Sequence, residues 1–309
     1  MTDRGLLVIG DVVTDVVALH GSPVMSGTDT AADIVVRPGG SGANTAAWAA
    51  HLGADARLLA RLGYDSSDWH TAELVKAGVR PHVTVDPDHP TAVVIAMVDR
   101  SGERSMLTNR GAGGLISDED WDPALLDGVG RLHLSGYVFF TAPGLRLARV
   151  AMADAAAAGV AISVDPASTG PLRDFGVERF LCESAAAGLV IPNLDEALLL
   201  TGASTAERAA VLLSERYGTA VVKQGAEGAL GAVDGAIVAT APALPAEVVD
   251  STGAGDAFAA GFLTASLQGV GERGALESGC RAGAACVAQV GGRPRYGLDL
   301  NRLYPIHTD

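Results

Sequence analysis

A glycine-rich segment near the C-terminus, residues 249–258 (VDSTGAGDAF), holds the residues best suited to do chemistry. Gly253 and Gly255 allow turn geometry that a β-carbon would forbid, and the apolar run 257–267 predicts a buried helix after the turn. The unpaired amides of a first helical turn, with the positive end of the helix dipole behind them, form a site for a phosphate or a developing negative charge. Asp256, in the middle of these groups, is suited to take a proton from a nucleophile that attacks phosphorus.

Asp256 has a second interpretation, in which its side chain only caps a core helix. Aspartate is common at helix N-termini, so this position considered alone favours the cap over the base. Three further segments shift the balance towards the base.

The composition predicts one large globular α/β domain that spans residues 1–309. The chain is 48% hydrophobic and 19% charged, which suits a sizeable core. Its net charge of −14 repels polyphosphate backbones, so nucleic acid is a poor candidate partner and a small anion would need a locally positive pocket. Lysine occurs only at Lys76 and Lys223.

The cysteines and the N-terminus favour a cytoplasmic protein with no membrane partner. Cys182, Cys280 and Cys286 are odd in number and lack CxxC spacing, which predicts buried free thiols in a reducing compartment and no zinc site. The apolar run 6–9 is too short for a signal sequence or a membrane span.

Short apolar runs alternate with helical patterns along most of the chain. This alternation predicts a doubly wound parallel sheet with right-handed crossovers, flanked by helices, in which ligands bind beyond the carboxyl ends of the strands. Ser204 is the predicted cap of one helix and Gly218 follows its end. The predicted strands are 6–9, 131–134, 160–164, 188–191 and 220–222, and the predicted helices are 145–158, 194–200 and 205–217. The residues expected at the ligand-binding edge are Gly10, Ser135, Gly136, Asp165, Asn193, Gln224 and Gly225.

Residues 91–109 break the alternation. Strand patterns at 91–98 and 104–108, joined by a turn at 99–103, predict a hairpin rather than a crossover. Together with a segment of about 12–36, this hairpin could form a small sheet over the mouth of the site. We interpret that sheet as a lid.

A second glycine-rich segment, GGSGAN at 39–44, precedes a helical stretch at 45–51. Its glycines let the backbone approach a ligand closely, and Asn44 offers both a donor and an acceptor, which suits hydroxyl recognition. A tight loop with an asparagine cap is an equally good interpretation. The spacing is not that of a dinucleotide-binding loop, and no Gly-Lys pair exists for a Walker A loop.

Four segments, in the same order along the chain, resemble the motifs of the ribokinase family of carbohydrate kinases, also called the PfkB family. Residues 39–44 and 250–256 (DSTGAGD) resemble the two family signatures. Residues 192–196 (PNLDE) resemble its N-x-x-E motif, and 222–228 (VKQGAEG) resemble its K-x-G-x-x-G nucleotide-binding loop. The resemblance implies a ribokinase-like fold with a β-sheet lid and ATP-dependent phosphorylation of a small sugar.

On the transfer side, the resemblance makes Asp256 the general base and the amides of Gly253, Ala254 and Gly255 the anion hole. The same family likeness places Asp250 and the carbonyl of Thr252 at a monovalent-cation site beside that hole, where K⁺ is a candidate. Arg295 falls near a position where a small residue is expected, and its charge could replace the cation.

On the nucleotide side, the resemblance places Asn193 and Glu196 near the triphosphate, with Glu196 holding Mg²⁺ through water. A helix N-terminus with acidic first-turn residues is the alternative, and both roles can coexist. Lys223 would meet phosphate oxygens, although a lysine that merely reaches solvent from a strand end is the competing interpretation. Gly225 and Gly228 would let the loop pass close to the nucleotide.

On the acceptor side, Asp15 matches the hydroxyl-binding aspartate of the family, and Gly40 and Asn44 belong to the first signature. Val13 departs from the pattern, because ribokinase and many nucleoside kinases carry asparagine there. Asn109 and Arg110 are further candidates for the acceptor pocket, although a solvated turn is an equally good interpretation of them. Asp165 is another candidate, because its Asp-Pro-x-Ser stretch resembles that of pseudouridine kinases.

The sequence therefore predicts an ATP- and Mg²⁺-dependent kinase that phosphorylates a hydroxymethyl group of a small sugar or sugar derivative. A nucleoside or pseudouridine kinase is the nearer alternative, and a non-catalytic sugar or nucleotide sensor the more distant one. A homodimer formed through the lid is a further expectation.

Overall fold

Two β-sheets and nine α-helices form the part of the chain that the structure, a computed structural model, describes: residues 5–99, 104–295 and 297–298. The strands are β1 (Gly5–Ile9), β2 (Val13–His20), β3 (Ala32–Gly39), β4 (Asp55–Gly63), β5 (Arg80–Asp86), β6 (Ala92–Val98), β7 (Arg104–Asn109), β8 (Val129–Ser135), β9 (Ala161–Asp165), β10 (Leu189–Val190), β11 (Thr219–Lys223), β12 (Ala229–Val233) and β13 (Ala236–Ala241). The helices are α1 (Ser41–His51), α2 (Ser67–Lys76), α3 (Ala142–Ala157), α4 (Thr169–Phe175), α5 (Val177–Glu183), α6 (Leu194–Thr201), α7 (Ala206–Tyr217), α8 (Ala254–Leu267) and α9 (Glu272–Val287).

The large sheet has nine strands in the order β13-β12-β11-β10-β9-β8-β1-β4-β5. The seven strands from β11 to β5 are parallel, as predicted, whereas β12 pairs antiparallel with both β11 and β13 and makes the sheet mixed. One apolar core lies between the sheet and helices α3 to α7, and a second lies between the sheet and α1, α2, α8 and α9. The predicted α/β fold with helices on both faces is confirmed.

The small sheet has four strands in the order β3-β2-β6-β7. It joins the segments 12–36 and 91–109 as predicted, and β6 and β7 form an antiparallel hairpin. Residues 100–103 of the predicted turn lie outside the described residues. Because side chains alternate along a strand, one face of this sheet points towards the large sheet and the other away from it.

Three helices begin at positions that differ from the sequence-based expectation. The cap of α7 is Thr205 rather than Ser204, because the Thr205 hydroxyl accepts the amide of Arg208 at 3.2 Å. Helix α1 begins at Ser41, four residues before the predicted start, and α8 begins at Ala254 rather than after Asp256. Both early starts place chemically active side chains in a first helical turn.

The remaining physical expectations are met in part. Cys280 and Cys286 are buried, but Cys182 is exposed, which corrects the prediction of three buried thiols. Among the described residues, no helix combines the length and the apolar character that crossing a membrane requires.

Candidate active site

A cavity of about 1290 Å³ lies between the carboxyl ends of the parallel strands and the inner face of the small sheet. Every residue that the family resemblance assigned to the acceptor, nucleotide, transfer and cation sites lines it, whereas Ser135, Gly136 and Gln224, which were expected at the ligand-binding edge, do not. On the acceptor side these are Asp15, Gly40, Asn44, Asn109, Arg110 and Asp165. On the nucleotide and transfer side they are Asn193, Glu196, Lys223, Gly225, Gly228, Asp250, Thr252, Gly253, Ala254, Gly255 and Asp256.

The carboxylate of Asp256 in α8 is hydrogen bonded to two side chains of α1. Its Oδ1 accepts the hydroxyl of Ser41 at 2.8 Å, and its Oδ2 accepts Nδ2 of Asn44 at 2.9 Å. The cap position of α8 is Gly253, and no side chain hydrogen bonds to the amides there. Asp256 therefore does not act as a helix cap in this structure, and its bonds to α1 leave further lone pairs for a hydroxyl group.

Burial raises the pKa of Asp256 from 3.8 to about 7, although the hydrogen bonds from Asn44 and Ser41 act in the opposite direction. The charge of Asp165 raises this pKa further, and the ammonium group of Lys223 lowers it. A carboxylate with a pKa near neutrality is matched to the task of a general base.

The first turn of α8 begins on a constrained glycine. Gly253 has a φ of 77°, and a β-carbon there would lie 2.5 Å from the Cα of Gly292. Gly255 faces the ammonium group of Lys223, which would be 3.3 Å from a β-carbon at that position. The amide of Ala254 donates to the carbonyl of Ser251 at 3.3 Å. The turn and the ammonium group together form a positive site beside Asp256.

Lys223 is held by a buried carboxylate. Its Nζ lies 2.5 Å from Oδ2 of Asp165, whose Oδ1 accepts the amide of Ala167 at 2.9 Å. Burial lowers the pKa of Lys223, but Asp165, Glu196 and Asp256 outweigh burial and raise it. The side chain is 12% exposed, so the interpretation of Lys223 as a lysine that reaches solvent is wrong.

Asn193 and Glu196 form a capping box at the start of α6. The amide and Nδ2 of Asn193 each donate to the Glu196 carboxylate at 2.8 Å, and Oδ1 of Asn193 accepts the Glu196 amide at 2.9 Å. Burial and the charge of Asp165 raise the pKa of Glu196 to about 7. The described residues include no group of three or more metal-ligating side chains. One carboxylate such as that of Glu196 is enough for Mg²⁺, which keeps several waters and takes phosphate oxygens as ligands.

Asp15 lies on the inner face of the small sheet. Burial and the charge of Asp11 raise its pKa to about 6, whereas Arg293 lowers it. A β-carbon on Gly39 would touch the Asp15 carboxylate, so a side chain at that position of β3 would displace the carboxylate from its place in the cavity. The neighbouring Val13 presents an apolar surface to the cavity.

The other acceptor-side candidates differ in their surroundings. Oδ1 of Asn109 accepts the amide of Gly111 at 3.0 Å, which is the turn interpretation of this residue. Arg110 lies over the ring of Tyr137, with 5.7 Å between the guanidinium carbon and the ring centroid. Asp165 is engaged by Lys223 as described above, which leaves it less free for an acceptor.

The proposed cation site is organised by backbone amides. Oδ1 of Asp250 accepts the amide of Thr252 at 2.9 Å, and Oδ2 accepts the amide of Gly291 at 3.0 Å. Arg295 is exposed and does not line the cavity, so it is not positioned to replace a cation there. Arg293 is the arginine whose charge reaches Asp15.

The cavity residues that the sequence interpretation did not single out include Ser41, Asp11, Arg37 and Tyr137. Ser41 lies inside the GGSGAN segment and could have been singled out there. Asp11 accepts the amides of Ser41 and Gly42 at 3.2 Å each, so its carboxylate stabilises the start of α1. Arg37 and Tyr137 carry no local signal, since only the fold brings them to the cavity.

Comparison with known proteins agrees with this geometry. The model of the family described as pfkB family carbohydrate kinase matches residues 3–295. An ATP-dependent ribose-1-phosphate kinase of Halopiger xanaduensis is 32% identical over 262 residues, which cover 82% of each chain.

Two solved structures have the same fold. The adenosine kinase of Sinorhizobium meliloti superimposes with a TM-score of 0.87 at 25% identity, covering 97% of this chain and 98% of that one. An Escherichia coli protein assigned as a ribokinase II, in complex with ATP and Mg²⁺, superimposes with a TM-score of 0.83 at 23% identity over 94% of each chain. The chain belongs to the pfkB family of carbohydrate kinases, ribokinase-like enzymes that transfer a phosphoryl group to an alcohol.

Proposed function

We propose that this enzyme uses ATP to phosphorylate a hydroxymethyl group of a small sugar or sugar derivative. The observation that carries the proposal is the buried Asp256 carboxylate, with a pKa of about 7, in the first turn of α8 and near the ammonium group of Lys223. In-line phosphoryl transfer requires a general base next to a positively charged site that binds the phosphoryl group.

In the proposed step, a phosphoryl group moves from ATP to the acceptor and a proton moves to Asp256. The acceptor hydroxyl oxygen forms a bond to the γ-phosphorus, and the bond from that phosphorus to the bridging oxygen of ADP breaks, its electron pair remaining on ADP. Asp256 takes the hydroxyl proton and later releases it to solvent. The amides of Gly253, Ala254 and Gly255, with Lys223, stabilise the charge on the transferring group.

The nucleotide contacts are part of the same proposal. Asn193, Lys223, Gly225 and Gly228 line the half of the cavity next to β11 and would contact ATP. Glu196 would hold Mg²⁺ through water, and the metal when bound neutralises phosphate charge. Asp250 and the Thr252 carbonyl remain the proposed position of a monovalent cation such as K⁺.

The acceptor contacts and the lid complete the proposal. Asp15, Gly40 and Asn44 would bind the sugar, and the small sheet would close over it. Closure excludes water, which otherwise competes with the sugar for the phosphoryl group.

A nucleoside is the second candidate acceptor. The structural similarity to an adenosine kinase favours it. The apolar side chain of Val13 and the engagement of Asp165 by Lys223 weaken it. Turnover of ATP with a panel of pentoses, hexoses, ketoses, keto-deoxy acids and nucleosides separates the two candidates directly.

The role of Asp256 as the base is tested by Asp256→Asn. We expect kcat to fall by roughly 10²–10⁴, the usual contribution of a positioned general base. The pKa of Asp256 is 3.8 in the unfolded chain and about 7 in the native state. The native state therefore loses stability as the pH rises between these two values, because the buried carboxyl group ionises less readily than the exposed one. The neutral variant should therefore melt at the same temperature as the parent, or higher, at about pH 8. A well-folded variant with kcat within a few-fold of the parent contradicts the assignment.

The pH profile offers an independent test of the same base. Since a carboxylic acid cannot accept the proton, kcat/KM should rise with pH up to about 7 and level off above it. The hydroxyl of Ser41 lowers the pKa of Asp256, so Ser41→Ala should move the profile to higher pH. A profile that Ser41→Ala leaves in place would show that another group titrates.

The contact between Lys223 and phosphate is tested by Lys223→Met, which keeps the aliphatic stem. If the γ-phosphate is the partner, we expect the substitution to weaken the binding of ATP more than the binding of ADP. Since Lys223→Met also strands the buried Asp165, the matched control is Lys223→Met combined with Asp165→Asn. If the double variant regains stability but still binds ATP weakly, the contact with phosphate is supported. If it regains both its stability and its affinity for ATP, the contact is contradicted.

We also propose that two copies of the chain associate through the small sheet. Val36, Val16, Ile95 and Leu107 form an apolar row across all four strands of its outer face. Val36 is 54% and Leu107 60% exposed. Such a contiguous apolar row is typical of an interface.

Leu107→Glu should convert a dimer to a monomer, because it places a charge at the exposed end of that apolar row. The measurement is sedimentation equilibrium, and Val150→Glu, at an exposed position of α3, is the control. A mass that neither substitution changes argues against an interface on this face.

A further inference from the structure

A short loop after α9, residues 289–293, contacts both the small sheet and the segment that precedes α8. Towards α8, the amide of Gly291 donates to Oδ2 of Asp250 at 3.0 Å. Towards the small sheet, Nη2 of Arg293 donates to the carbonyl of Gly39, the last residue of β3, at 3.2 Å. Arg293 therefore anchors a strand of the proposed lid to the body of the protein.

The residue that Arg293 anchors lies next to the Asp15 carboxylate. A β-carbon on Gly39 would lie 2.0 Å from Oδ2 of Asp15, so the carboxylate packs directly against this residue. Arg293 is half-buried, and its charge lowers the pKa of Asp15 against the opposing effect of burial. One guanidinium group thus holds the backbone beside Asp15 and supplies the carboxylate with opposite charge.

Of the positive charges around Asp15, that of Arg293 has the largest effect on the Asp15 pKa. Arg37 is the cross-strand neighbour of Asp15 on β3, and the residue opposite Asp15 on β6 is a valine. Asp11 and Asp250 carry negative charge, and both raise the pKa of Asp15. Arg293 is therefore the main group that opposes burial and two carboxylates at this position.

The charge state of Asp15 matters for hydroxyl binding. An ionised carboxylate accepts hydroxyl protons on both of its oxygens, whereas a protonated carboxyl group has already used part of that capacity. The pKa of Asp15 is about 6, which is close to neutral pH. Without the Arg293 charge, a larger share of the carboxyl groups would be protonated near neutral pH.

We propose that Arg293 is a positioning residue for the acceptor, which keeps the Asp15 carboxylate ionised and fixed in place for hydroxyl binding. Arg293 does not line the cavity, so it acts through Asp15 rather than by touching the acceptor. The inference rests on the proposed function, in which Asp15 binds the sugar. Because the donors to the Asp256 carboxylate come from α1, the transfer step itself should depend little on Arg293.

The first measurement is the titration of Asp15 itself, which needs no substrate. Carboxyl ¹³C shifts are followed in the full-length protein labelled at aspartate, at one fixed KCl concentration, and Asp15→Asn identifies the Asp15 signal. The parent should show a pKa of about 6. Arg293→Gln removes the charge but keeps a hydrogen-bond donor, so it should raise this pKa. Arg293→Lys keeps the charge and should leave the pKa close to the parent value.

Acceptor kinetics test whether the same charge acts on binding. Ribose, fructose, gluconate and adenosine are assayed with ATP and Mg²⁺, and KM is determined for each one that the parent phosphorylates. Arg293→Gln should raise the acceptor KM about threefold or more at about pH 6.5, where the two proteins differ in the ionisation of Asp15, and by a smaller factor at about pH 9. Arg293→Lys should restore most of the loss, and kcat and the KM for ATP should change little.

Further variants separate positioning from a general effect on the fold. Arg295→Met is the matched control, because Arg295 is an exposed arginine two residues further along the chain and outside the cavity, and it should change none of these values. In the Asp15→Asn background, Arg293→Gln should raise the acceptor KM no further, since its effect passes through Asp15. If Arg293→Gln does not fold, Arg293→Met takes its place.

An Asp15 pKa that Arg293→Gln leaves unchanged overturns the inference, and so does a larger rise of that pKa in Arg37→Met. A loss of kcat without a pH-dependent change in the acceptor KM also overturns it, because a loop that only supports the fold would behave in this way. Failure of both neutral variants to fold has the same meaning. In each of these cases an active parent leaves the proposed kinase function intact.

The proposed function can fail separately. A parent that phosphorylates none of the four acceptors contradicts it, whereas the titration does not depend on turnover. In that case a raised Asp15 pKa in Arg293→Gln, restored by Arg293→Lys, still supports the role of Arg293 in holding Asp15 ionised, and an unchanged pKa overturns that role as well.

Discussion

One buried carboxylate ties the functional half of this molecule together. Asp256 lies in the first turn of α8, and two donors in the first turn of α1, Ser41 and Asn44, bind its oxygens although more than 200 residues separate them along the chain. Burial would keep this carboxyl group protonated at neutral pH, whereas the two donors favour the charged form. The balance leaves a pKa of about 7, so a small change in either helix would alter the protonation of the group.

The packing of glycine against glycine makes this arrangement possible. A β-carbon at Gly253 would meet Gly292, and one at Gly292 would meet the side chain of Asn44. The carbonyl of Gly292 also accepts the indole N–H of Trp48, so α1 is anchored against the same loop. Close backbone approach at these points sets the separation of α1 and α8, and with it the reach of Ser41 and Asn44 to the carboxylate.

Charge in the cavity is arranged in two halves. Near β11, Lys223 is compensated by Asp165 and adjoins Glu196 and Asp256, so the site retains a positive group without leaving an unpaired buried ion. On the small sheet, Arg37 stands beside apolar residues with no carboxylate bound to it among the described residues. In a chain of net charge −14, such local positive groups are what allow anionic ligands to enter.

The sequence by itself determined the α/β class, the small sheet and the candidate acceptor, nucleotide and transfer residues that line the cavity. It did so because glycine turns, strand-end polar residues and apolar periodicity are local properties, and residues 39–44 and 250–256 carry enough of them to identify the family. It could not show that Asp256 bonds to Ser41 rather than capping its own helix, or that Lys223 pairs with Asp165. Nor could it place Arg37 in the cavity or Arg295 outside it. Those outcomes depend on which strands are neighbours and how closely two helices approach, and only the tertiary structure decides them, because no local pattern encodes a contact between residues far apart in the chain.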